Sequence, residues 1–133
     1  MSKFAIDFIQ IEAVKGKQRF DKLVIDGKCP FDEFEESMKS HYANEIVQLY
    51  ALMNEVANLR SLPGTKFHAY DNKDPRGWEF KTKNLRLYCV EQPGGKIVVI
   101  GGQKSQQDKD TSTFRHYQSL LHEWNNKNKK KHK

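Results

Sequence analysis

Four cations fall at spacings that bring them to one surface, and they are the residues of this chain best placed to do chemistry. Lys81 and Lys83 lie two apart in Glu79-Phe80-Lys81-Thr82-Lys83, where strand alternation puts them on the face opposite Phe80 and Thr82. In Leu85-Arg86-Leu87-Tyr88-Cys89-Val90, Leu85, Leu87 and Cys89 share one face, so Arg86 and Tyr88 look out the other way. Lys104 follows the apolar run Ile97–Ile100 and a Gly101-Gly102 break, so it leaves a sheet edge near the other three. Convergence of Lys81, Lys83, Arg86 and Lys104 on one sheet face makes a docking surface for a polyanion. Plainer readings stand beside this one. The lysines solvate the outside of a strand, and Arg86, between apolar neighbours, makes a structural salt bridge to the Glu-rich helix.

The elements that must position these groups follow from the pattern. Leu85–Val90 and Lys96–Ile100 read as strands joined by Glu91-Gln92-Pro93-Gly94-Gly95, a tight antiparallel reversal. Upstream, Phe4, Ile6 and Phe8 alternate and predict a first strand; Leu23-Val24-Ile25, ending at the turn signal Asp26-Gly27, is a second strand or a loop. Asp32 is a plausible N-cap for a helix over Glu33–Ser40. A longer helix is predicted from about Ala43 to Leu59, with Ile46, Leu49, Tyr50, Met53, Val56 and Ala57 in one apolar stripe that lies across a sheet. Lys66–Gly77 has the composition of a loop. Thr111–Trp124 predicts a short C-terminal helix carrying Arg115, His116 and Tyr117 near its start, with Leu120, Leu121 and Trp124 beyond. Asn125–Lys133 is a basic, low-complexity tail expected to be frayed or disordered.

Composition bounds the rest. At 133 residues the chain makes one domain, and with a mean hydropathy of −0.84 and 30% charged residues it reads as a soluble, cytoplasmic protein. Residues 1–59 carry seven Lys and Arg against ten Asp and Glu, residues 60–109 ten against five, and residues 110–133 six against two. The acidic half is helical and the basic half is the sheet, as expected of a surface built for a polyanion rather than for general solubility. Cys29 and Cys89 form no CxxC motif, and the scattered His41, His68, His122 and His132 have no zinc-ligand spacing. No phosphate-cradling loop surrounds Arg76-Gly77.

Strand, helices, three antiparallel strands bearing basic residues and a last short helix together resemble the RelE/HigB-type toxins of bacterial type II toxin-antitoxin modules, members of the RelE/ParE superfamily. The segment Trp78–Tyr117 carries most of the likeness: WEFKTK, LRLY, the turn, IVVIGGQK and the entry to FRHYQ. The resemblance implies an α+β fold over residues 1–124, a small antiparallel or mixed sheet with N-terminal helices packed on one face. It also implies a metal-independent, cofactor-free mRNA endonuclease acting on or near the ribosome, restrained by a cognate antitoxin. In such an enzyme a ribose 2′-OH attacks the neighbouring phosphate. Arg86 is the expected phosphate stabiliser because a guanidinium makes paired hydrogen bonds to phosphate oxygens. Lys104 is placed with it, His116 is the acid–base candidate, and Tyr117 stacks on a base or donates a proton. Lys81, Lys83, Arg76 and Arg115 are assigned to the RNA backbone. The family often carries paired lysines where this chain has Gln103-Lys104-Ser105. The alternative is a non-catalytic relative of the same fold, a gyrase inhibitor or an RNA- or protein-binding module.

Overall fold

The computed structural model describes residues 5–131, with side chains described as far as Asn128. Six strands, β1 (Ile6–Gln10), β2 (Arg19–Ile25), β3 (Phe67–Ala69), β4 (Gly77–Lys81), β5 (Leu85–Gln92) and β6 (Gly95–Gln103), form one mixed sheet in the order β1-β2-β6-β5-β4-β3. Only the β2–β6 pair is parallel. The first helix, α1 (Pro30–Ala57), lies on one face and the second, α2 (Gln107–Lys131), on the other, so the α+β fold has three layers.

Alternation divides the core in two. Phe20, Phe80, Leu85, Leu87, Cys89 and Val98 turn toward α1 and meet Phe31, Phe34, Leu49, Met53, Val56 and Ala57. Leu23, Ile25, Tyr88, Val90, Ile97 and Val99 turn the other way and meet Phe114 and Leu121 of α2. Each large side chain so buried contributes about 1.5–3 kcal/mol. A β-bulge interrupts the β5–β6 ladder between Tyr88 and Cys89: Tyr88 pairs with Ile100 and Cys89 with Val98, leaving Val99 as the extra residue. Val99 and Ile100 consequently both face α2. Beyond the bulge, Gly101 packs under the Phe34 ring of α1 and Gly102 under the Asp110 carboxylate of α2, each where a Cβ would collide.

Several boundaries differ from the sequence expectation. The two predicted N-terminal helices are one, bent at Tyr42 (φ −131°, ψ 33°). Its N-cap is Cys29, not Asp32, because Pro30 opens the helix with its preset φ and no N–H to satisfy. Asp32 instead accepts from Lys22 Nζ at 2.8 Å, tying the first turn to β2. Part of the expected loop Lys66–Gly77 is the edge strand β3, paired in register with β4. The C-terminal helix is 25 residues, not short, and it runs through most of the tail expected to be disordered. Asn128 Nδ2 donates to Trp124 O at 2.7 Å within that extension, and the Trp124 ring meets Phe8 edge to face at 5.1 Å. Phe4, Lys133 and His132, which entered the sequence reading, lie outside the described residues.

Candidate functional site

The end of the sheet formed by the β4–β5 turn is where exposed cations collect. Thr82 N donates to Leu85 O at 3.0 Å, which closes a tight turn over Lys83 and Asn84. The turn is clamped from both sides. Glu45 of α1 accepts from the Thr82 hydroxyl, from Asn84 N at 2.7 Å and from Asn84 Nδ2 at 2.8 Å, while Lys104 N donates to Asn84 O at 2.7 Å. Burial pushes the Glu45 carboxyl up, but these hydrogen bonds outweigh it and hold the group below the usual glutamate range. On the β3 side, Lys81 N donates to Lys66 O at 2.8 Å. The backbones of Lys66, Lys81 and Lys104 therefore lie on adjoining strand ends around Lys83, with neighbouring strands about 4.8 Å apart. Lys66, Lys83 and Lys104 are exposed, Lys81 is half-buried, and none of the four ammonium groups is within 4.0 Å of a carboxylate among the described residues.

Arg86 does not belong to that open surface. It follows the expected alternation, but α2 covers the face it looks toward, leaving it 8% exposed. Its Nη1 donates to Thr82 O at 2.7 Å and Leu85 O at 2.8 Å, and its Nε lies 3.9 Å from Glu79 Oε2. The ionic partner is thus on the adjacent strand rather than on the Glu-rich helix. Glu79, itself buried, also accepts from Gln107 Nε2 of α2 at 3.1 Å and lies 2.7 Å from His68 Nε2. The other His68 ring nitrogen lies 2.8 Å from Ala69 O, so both nitrogens face acceptors and neither is left to take a proton from a substrate. Arg86 acts here as a tie under the turn that carries Lys83, a correction to its expected contact with phosphate.

The remaining candidates are elsewhere. Arg76 lies beyond the far end of β4, five residues and about 16 Å of strand from Lys81. Its guanidinium sits 4.8 Å from the centre of the Trp78 ring, beside a groove of about 1150 Å³ that also takes in Phe8, Leu121 and Trp124. Lys96 lines the same groove, buried, with its ammonium 4.9 Å from the Trp78 centroid; burial pulls its pKa down. Arg115 is exposed and donates to Tyr70 Oη at 3.1 Å. His116 is exposed on α2, about 14 Å along the helix axis from Gln107 at its start, while Tyr117 packs against the α2-side core. The structure therefore brings together Lys81, Lys83 and Lys104 and does not bring Arg76, Arg115, His116 or Tyr117 to them.

Sequence reading missed Lys66, Glu45 and Asn84. Lys66 was hidden in a stretch with loop composition, and the polar clamp joins residues 39 apart that no local pattern links.

Fold and surface together define a small α+β protein with a lysine-rich rim at one end of its sheet. No family model, curated protein or solved structure matches the chain. Among the described residues no helix is long and apolar enough to cross a membrane, and no group of three or more His, Cys, Asp or Glu stands ready for a metal ion.

Proposed function

We propose that the chain is an RNA-directed toxin of the RelE/HigB kind that grips the mRNA backbone with Lys66, Lys81, Lys83 and Lys104 and so inhibits translation. The supporting observation is that these lysines crowd one edge without carboxylate partners, held by a turn that is itself clamped to α1 and β6. Crowded, unneutralised ammonium groups repel one another in the free protein and are relieved by a phosphate chain. In cleavage, the 2′-OH attacks the adjacent phosphate while the lysines stabilise charge on its oxygens. A restraining antitoxin of acidic character suits the same rim. To reach the sheet face around Arg86 it must first displace α2.

A second reading, non-catalytic RNA binding, is favoured by one observation: no acid–base side chain stands free at the rim. Glu45 is committed to the turn, and both His68 nitrogens face acceptors. The experiment that separates the two is cell-free translation with 5′-end mapping of the mRNA, comparing wild type with the Lys83→Ala/Lys104→Ala variant. Discrete cuts that disappear in the variant are the expected result for the endonuclease. Inhibited translation over intact mRNA assigns the protein to binding alone, and unimpeded translation overturns both.

A further inference from the structure

Beside the lysine rim, on the α1 side of the sheet, lies a cleft of about 420 Å³ lined by Tyr42, Asn84, Gln103, Lys104 and Ser105. Its volume is in the range of small-ligand sites. Its lining combines one aromatic ring, two carboxamides, a hydroxyl and a cation. Asn84 is fixed by its Nδ2 hydrogen bond to Glu45, which leaves its Oδ1 as an uncommitted acceptor. Gln103 is paired in register with Leu85 at the end of β6, and its side-chain amide makes no hydrogen bond among the described residues. Tyr42 stands at the bend of α1 and packs partly on the α1-side core, which holds its ring.

These are the parts of a nucleobase-reading site. An aromatic ring offers a stacking surface to an unstacked base of a single strand. A carboxamide presents a donor and an acceptor side by side, the pattern that pairs with N6 and N7 of adenine. Lys104 belongs to both the cleft and the rim, so a base seated in the cleft has its own phosphate at the cations. We infer that this cleft is a base-specificity subsite that takes a purine, adenine in preference, stacked on Tyr42 and read by Gln103. The inference rests on the RNA-binding reading of the rim and names what that surface selects.

The test titrates the protein with each of the four nucleoside 5′-monophosphates, following the Gln103 side-chain amide and the Lys104 backbone amide by NMR. In parallel, short single-stranded RNAs differing at one base are bound at several salt concentrations. The adenosine nucleotide is expected to bind about tenfold more tightly than the pyrimidine nucleotides, the discrimination of one paired carboxamide–base contact. Gln103→Ala is expected to shrink that preference to about twofold while leaving the salt dependence of RNA binding unchanged. Equal response to all four nucleotides, no response at these amides, or a preference that survives Gln103→Ala overturns the subsite. RNA binding that still weakens with salt and depends on Lys83 in such a case leaves the rim standing. Selective nucleotide binding without strand binding overturns the rim alone.

Discussion

Replacing Arg86 by Ala separates two accounts of the same residue. If the guanidinium meets phosphate, the variant folds normally and loses its hold on RNA. The geometry predicts the reverse. Two hydrogen bonds from a charged donor to the Thr82 and Leu85 carbonyls are lost, at 2.7 and 2.8 Å. Hydrogen bonds to charged groups contribute about 1.5–3 kcal/mol each. The Glu79 carboxylate loses an attraction acting over 3.9 Å but keeps His68 and Gln107, so it is not left bare. The sum falls near the lower end of the ~3–5 kcal/mol seen when one partner of a buried pair is removed. A loss of about 3 kcal/mol in a domain of this size lowers the melting temperature by roughly 10 °C. Urea unfolding followed by circular dichroism measures it, with Arg86→Lys expected in between because an ammonium cannot reproduce the guanidinium's fixed fork. Under conditions where the Ala variant is folded, its RNA affinity is expected to keep the wild-type slope against salt. Stability within about 0.5 kcal/mol of wild type, the range of an uninvolved surface substitution, together with collapsed RNA binding, refutes the reasoning and returns Arg86 to the phosphate.

Other consequences follow from the same surface. Removing Lys81, Lys83 and Lys104 together is expected to make the slope of log affinity against log salt shallower by about 2, since each phosphate contact on a single strand contributes about 0.7; filter binding from low to moderate salt reads it. Glu45→Gln is expected to flatten the acid limb of the stability curve. The Glu45 carboxyl lies below its usual range, so its stabilisation is present above the unfolded glutamate value and is lost as pH falls through the folded one. The unfolding free energies of the two proteins should therefore converge as the pH is lowered through the carboxylate range. Gly102→Ala is expected to lose about 1–3 kcal/mol by overpacking, because the added methyl collides with the Asp110 carboxylate and lifts the first turns of α2; Gly64→Ala, with open space around it, is the control.

The hairpin, the first strand and the apolar stripe of α1 were legible because each is local. Alternation over Leu85–Val90 assigned every side chain there to its observed face. What alternation does not reveal is which face stays open. Arg86 points as expected and is nevertheless buried, because Phe114, Gln118 and Leu121 seat α2 on that face. The length of α2 was hidden by composition: lysine-rich sequence reads as tail, yet Lys is a good helix former and Trp124 anchors the extension on Phe8. β3 is too short for periodicity and exists through its pairing with β4. The rim lysines were legible as types and spacings, but the clamp that holds them depends on tertiary contacts.

The bulge at Val99 gives β6 two reading frames. Before it, even-numbered residues such as Val98 look toward α1; after it, odd-numbered residues do, Gly101 beneath Phe34 and Gln103 into register with Leu85. One inserted residue thus lets a single strand serve two masters out of phase, its first half keyed to the core and its second half to the glycine seats and the cleft. Deleting Val99 is therefore a frameshift in space: it turns Gln103 toward α2 and puts the Gly101 and Gly102 seats under the wrong helices, without changing the chemistry of any other residue.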